Sequence, residues 1–171
     1  MTTIDAARFR WREHGGGDAV AARCLDFLTG IGIECAPIGD EQAQLLDGLA
    51  IVGGRLLIDP AIAVWPGDLL HEAGHIAIAA PEERSSLGPI GPDGGDEMAA
   101  IAWSYAAACA CDVSLEQLFH DGGYRGESET LRTAFADQGY IGAPMLGYFG
   151  MTDPHGIAGK HPYPSMIRWL R

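Results

Sequence analysis

His71 and His75 stand four residues apart in the run Leu69-Leu70-His71-Glu72-Ala73-Gly74-His75, with Glu72 directly after the first of them. On a helix, four residues advance about 400°, so the two imidazoles project one turn apart and within about 40° of each other. Imidazoles so placed can share one zinc ion, and Glu72 falls beside them, within reach of a water activated by that metal without being a ligand. This is the donor pattern of metal-assisted hydrolysis, with Glu72 as general base. Catalytic zinc usually keeps three protein ligands and one open position. The best third ligand is Glu97, 22 residues beyond His75. It opens a stretch, Met98 to Cys111, that is apolar almost all round and so predicts a buried helix. A carboxylate buried there is costly unless it is paired or bound to metal. Asp96, about 100° away around the same helix, is the reserve ligand. The alternative is that Asp96 and Glu97 merely complement the positive end of their helix.

The elements that must position these groups can be read from turns and periodicity. A helix is expected from about Pro66-Gly67-Asp68 to about Ala80, limited by Pro81. Its residues Leu69, Leu70, Ala73, Ile76, Ala77 and Ala80 fall on one side, leaving the His/Glu edge free to line a cleft. Gly74 removes a side chain from the far side, so another element can come close. Ala99, Ala100 and Ala102 would let the Glu97 helix, about Asp96 to Cys111, pack tightly against it. Leu49–Val52 and Arg55–Ile58, separated by Gly53-Gly54, predict a β-hairpin. Asp18 is read as the N-cap of a helix ending near Thr29 at Gly30, and Ile31, Ile33 and Cys35 as a short strand. Residues 39–47 read as helix or coil and 81–95 as a loop. Ser114 and Gln117 form a capping box for a short helix to about Phe119, and Glu127 to Ala136 is another helix. The tail from Pro164 reads as one or two helical turns that pack Trp169 home. Residues 1–17 form an N-terminal arm, loose or a short edge element, before a single domain over 18–171. A small sheet followed mostly by helices is an α+β domain.

The segments Gly48 to Pro60, Leu69 to His75 and Glu97-x-x-Ala100-x-x-Trp103, in that order, resemble the ImmA/IrrE-type zinc metallopeptidases. In these gluzincins a glutamate on a following helix completes the zinc site. The resemblance spans residues 48–111. It implies a zincin-like fold, a Zn2+ cofactor held by His71, His75 and Glu97, Glu72 as catalytic base, and a peptide or protein substrate. The proline usual after the Glu-bearing helix is absent.

Composition narrows the remaining classes. The chain has 171 residues, 47% hydrophobic and 20% charged, enough for one domain with a core. Eleven basic against 23 acidic residues give a formal charge of −12, which repels nucleic acid and anionic membranes. The N-terminus has no apolar run, and no stretch reaches the roughly 20 apolar residues of a membrane span. Cys24, Cys35, Cys109 and Cys111 are expected to be free thiols in a cytoplasmic protein, with Cys109 and Cys111 as small buried residues rather than a metal clip.

Hydrolysis also needs a donor for the oxyanion, and Tyr124, Tyr140, His155 and His161 lie in Gly-rich stretches that could wall the cleft. Each is more simply structural. His120-Asp121 reads either as a pair that orients a ligand imidazole or, more simply, as a helix end before a turn. The competing class is a non-catalytic zincin-fold module that binds a partner or keeps a structural metal. Oligomeric state is not legible in these residues.

Overall fold

A computed structural model of the chain describes residues 1–40, 47–89, 94–156 and 162–171. It is an α+β domain, and among the described residues no helix is long and apolar enough to cross a membrane. Among the described residues, five strands form two small sheets. β1 (Arg10–Trp11) pairs in parallel with β5 (Ala63–Val64), while β4 (Arg55–Ile58) lies between β2 (Cys35–Pro37), to which it is parallel, and β3 (Leu49–Val52), to which it is antiparallel. The helices are α1 (Gly17–Ile31), α2 (Pro66–Ile78), α3 (Pro81–Arg84), α4 (Gly94–Ala110), α5 (Leu115–Leu118), α6 (Ser128–Ala136) and α7 (Ala143–Tyr148).

The hairpin forms as its glycines predict. Gly53 and Gly54 have φ of 59° and 72°, the left-handed pair that a tight primed turn needs. Leu49, Ala50, Ile51, Leu56, Leu57 and Ile58 are all buried, so the strands read as continuous apolar runs because both faces are covered. Both strands pack on α2, whose largest contact is with α4.

α2 occupies the centre of the domain. Pro66 starts it at a position where a missing N–H costs nothing, and Ala79 and Ala80 are extended, as the proline at 81 requires of its neighbour. The carbonyls left over at its C-terminus are met by two arginines. Arg84 donates to the oxygens of Ile76 and Ala79 (both 3.1 Å), and Arg171 donates its backbone N–H to Ala77 (2.9 Å) and its guanidinium to Ile78 (3.5 Å). The helix is buried nearly all round rather than along one stripe, because α1, α4, α5 and the hairpin all lie against it.

α4 is as apolar as its sequence suggests, with Ala99, Ala100, Ala102, Trp103 and Ala107 fully buried. The tail straps it: Tyr163 donates its hydroxyl to Ala102 O (2.8 Å), and Trp103 donates its indole N–H to Trp169 O (2.9 Å). Trp169 packs edge-on against Phe27 and Trp103, so it is seated as expected, but by irregular chain of turns and bends. In place of helical turns, Thr152 bridges Met166 and Ile167 donates to Met151 O (2.8 Å).

Several other elements differ from the sequence reading. α1 begins at Gly17 and runs through Gly30 to stop at Gly32, whose φ of 93° forms the left-handed end; Asp18 lies in its first turn and Gly16 is its N-cap. Ile31 therefore belongs to the helix, and the strand starts at Cys35. The expected loop over 81–95 contains α3 and the first two residues of α4, and α7 was hidden by the glycines around it. The N-terminal residues are an edge element: Phe9 and Trp11 are buried in the common core. The reading of 39–47 falls largely outside the described residues. All four cysteines are free; Cys24 is buried and its thiol donates to Cys111, but Cys109 is exposed and Cys111 only half-buried.

The α2–α4 contact is sterically exacting. A Cβ on Gly74 would lie 2.8 Å from Ala100 O and 3.2 Å from its Cα, with no flexible side chain to yield. Gly74→Ala is therefore expected to lower unfolding stability by about 1–2 kcal/mol, overpacking outweighing the roughly 1 kcal/mol gain in helix propensity. Urea denaturation of the metal-free protein reads this out; a stabilised variant would contradict the close approach.

Candidate metal centre

The close approach brings the N-terminal end of α4 alongside the middle of α2. Glu97 Oε1 lies 3.2 Å from His71 Nε2, and Glu97 Oε2 lies 3.3 Å from His75 Nε2. One ligand atom from each residue falls within 4.8 Å of the others, a cluster able to hold a metal ion. The two imidazoles meet edge to face at 5.1 Å. Thus the three residues singled out in the sequence converge on one point. Asp96 is not in the cluster, and its side chain is exposed.

Burial is graded across the site. The side chains of His75, His71 and Glu97 are 4%, 14% and 45% exposed, so solvent reaches the centre from the Glu97 side. Glu97 is therefore not the buried carboxylate that the apolar helix suggested. It sits in the first turn of α4, where the helix emerges, and its geometry rather than desolvation places it in the cluster.

Charge is distributed unevenly. Hydrogen bonds to His71 and His75 hold the Glu97 carboxyl well below the usual carboxylate range. Burial pulls His71 down, but the Glu97 hydrogen bond and the charges of Glu72, Glu97 and Asp68 outweigh it and leave its proton affinity raised. Glu72, beside His71, is pushed up by desolvation against the pull of both imidazoles.

The donor set fits zinc. Two imidazole nitrogens and a carboxylate are a recurrent three-ligand set, and bonds of about 2.0–2.1 Å in a tetrahedron place ligand atoms roughly 3.3 Å apart, close to the two N–O separations here. Both histidines present Nε2, so a metal-bound His71 would carry its proton on Nδ1. That Nδ1 is buried and has no hydrogen-bond partner among the described residues.

The oxyanion candidates divide. Tyr124 packs its ring on His71 at 5.3 Å but commits its hydroxyl to Leu118 O (3.2 Å), and burial raises its pKa well above the ordinary value. It walls the site. Tyr140 belongs to an aromatic cluster with Tyr105, Phe135 and Tyr163. His155 is exposed in a turn, and His161 lies outside the described residues.

Asp121 pairs with Arg132 (2.9 Å) and so is not the partner of a ligand imidazole. His120 is instead buried against Asp68, Nε2 to Oδ1 at 2.7 Å. Asp68 lies three residues before His71, a spacing that puts both on one helix face and could have drawn attention to it. Its tie to His120 spans 52 residues, and no local pattern announces such a pairing.

Comparison with family models, curated proteins and solved structures finds no match to the chain.

The cluster predicts one high-affinity zinc per chain. His75→Ala and Glu97→Gln should each lower the bound metal, measured by elemental analysis after dialysis, to a small fraction of the wild-type level. Full occupancy in both variants would mean that these residues are not ligands.

Proposed function

We propose that the chain is a zinc-dependent metallopeptidase of zincin-like architecture that hydrolyses peptide bonds in a peptide or protein substrate. The observation that carries this reading is the convergence of His71 Nε2, His75 Nε2 and the Glu97 carboxylate beside Glu72. A hairpin, an H-E-x-x-H helix and a glutamate-bearing helix follow one another as in the ImmA/IrrE-type enzymes that the sequence resembles, and both strands of the hairpin pack on the histidine helix.

His71, His75 and Glu97 would hold the ion. Zinc bound there supplies Lewis acidity, lowering the pKa of a water towards neutrality and polarising a substrate carbonyl. Glu72 supplies the proton transfers. A carboxylate oxygen of Glu72 takes the proton from the attacking water and then delivers it to the nitrogen of the departing amine. Its desolvated position suits that task, because a carboxyl with a raised pKa is the stronger base and hands over its proton nearer neutral pH. Half-exposed Glu97 lies on the side from which an extended substrate would enter. Tyr124 shields His71 on another side.

Glu72→Gln keeps the shape of the side chain and removes the base. Zinc content should be unchanged, while cleavage of a peptide library by the zinc-loaded protein falls at least about a hundredfold, the usual scale of general acid–base catalysis. Undiminished cleavage in this variant would exclude the mechanism. Stoichiometric zinc without any cleavage by the wild type would favour a non-catalytic binding module.

A further inference from the structure

Away from the metal cluster, two thiols meet where the C-terminal end of α4 comes against α1. The last helical residue of α4 is Ala110, so Cys111 is its C-cap, and Asp112 beyond it has a φ of 58°. Val113 donates its N–H back to Ala108 O (2.9 Å) and is itself buried, and this left-handed ending fixes Cys111 in place. Arg23 of α1 holds the ending from outside. Its Nε donates to Cys111 O (3.1 Å) and a terminal nitrogen donates to Asp112 O (2.9 Å), meeting carbonyls that the helix leaves over. Cys24, the next residue of α1, is fully buried and donates its thiol to the Cys111 sulfur.

The two sulfurs differ in a way that suits a two-step oxidation. The hydrogen bond from Cys24, aided by the Arg23 guanidinium, draws the Cys111 thiol below its ordinary value, with burial and the charge of Asp112 opposing the anion. The same bond, together with burial, drives Cys24 the other way, so it keeps its proton. Cys111 is half-buried and Cys24 has no exposure, so a small oxidant meets Cys111 first. The remaining thiols are placed differently. Cys109 lies about 200° from Cys111 around α4. Desolvation raises it, and burial pushes Cys35, on β2, up to about 12.

We propose that Cys24 and Cys111 form a redox modification site: a hydroperoxide converts the pair to a disulfide that joins α1 to the end of α4 and closes a loop containing His71, His75 and Glu97. The Cys111 thiolate attacks one oxygen of the peroxide and the O–O bond breaks. Cys111 becomes a sulfenic acid, while the other oxygen leaves as hydroxide or alkoxide and takes up a proton. The Cys24 sulfur then attacks the sulfenic sulfur to form the S–S bond, and the hydroxyl leaves with the Cys24 proton as water. The two thiols together lose two electrons, which the peroxide gains. The site depends neither on the metal nor on hydrolysis.

The test treats the full chain with a small excess of hydrogen peroxide, a chelator being present so that no metal catalyses the oxidation. Titratable thiols should fall from four to two, and peptide mapping without reduction should find Cys24 joined to Cys111. A dithiol reductant should restore all four. The crosslink removes freedom from a long loop of the unfolded chain, so the thermal midpoint should rise by roughly 5–10 °C and fall back on reduction. Cys111→Ser should keep its remaining thiols through the same treatment. Cys24→Ala should stop at a sulfenic acid on Cys111, captured by a cyclic dione; should that variant not fold, Cys111→Ser and the map of the wild type decide. The proposal is overturned if the wild type retains all four thiols, stops at the Cys111 sulfenic acid, links Cys24 to Cys35, or is modified at Cys109 with Cys24 and Cys111 intact.

Discussion

The separation between α2 and α4 governs the geometry of the centre. It is set at Gly74, where the backbone of Ala100 occupies the space that any side chain would fill. Alanines at 99, 100, 102, 106 and 107 keep α4 slim along the buried face, so the two backbones meet almost directly. One helix carries both imidazoles and the other carries the carboxylate. An added methyl at the crossing would move Glu97 relative to His71 and His75 by a distance that matters to ligand bonds of about 2 Å. The apolar area forgone by using small residues is recovered on the outer side, where Trp103, Tyr163 and Trp169 bind the tail across α4.

Electrostatics makes the same cluster suited to a cation. Asp68, Glu72 and Glu97 all act on His71 within one partly buried region. Two arginines that could offset them, Arg84 and Arg171, are engaged at the C-terminal end of α2 with helix carbonyls. The arrangement is therefore acidic at one end of the helix and basic at the other, matching the helix dipole at both. A divalent cation among these carboxylates would relieve their mutual repulsion. Without one, part of that repulsion is relieved by Glu72, whose burial favours the proton, and part by hydrogen bonds from the histidines to Glu97.

How much of this could be read from the sequence depended on the distance over which each decision is made. The i, i+4 histidines, the Gly-Gly turn and the Ser114/Gln117 capping box are settled within a few residues, and each forms as its local chemistry requires. Glu97 was found through an argument that only partly applies: its helix is buried, yet the glutamate sits where that helix surfaces. Gly30 and Gly32 could each end α1, and the choice is made by Ile33, which is buried and donates its N–H to Leu28 O (2.9 Å), closing the helix end two residues later. The irregular tail was misread because its aromatic and apolar spacing is compatible with a helix. Its pairing with Thr152 and Met151 is non-local. The pairing of Asp68 with His120 was illegible for the same reason.

The segment that supplies His120 also carries two successive strained residues. Tyr124 and Arg125 have φ of 55° and 53°, two successive non-glycine residues in the left-handed region, at a cost of order 1–3 kcal/mol each. The surroundings hold them there. Ser128 donates its hydroxyl to His120 O (2.6 Å), Arg132 donates to Phe119 O, and Tyr124 donates to Leu118 O (3.2 Å), so the bend is tied down on both sides. The result is that the Tyr124 ring lies on His71 while His120 turns inward to Asp68. A relaxed backbone at 124 and 125 would swing that ring away and open His71 to water on its protected side. Strain is thus kept at this bend, where it seats the Tyr124 ring against an imidazole that the helix alone leaves free to rotate about its own side-chain bonds.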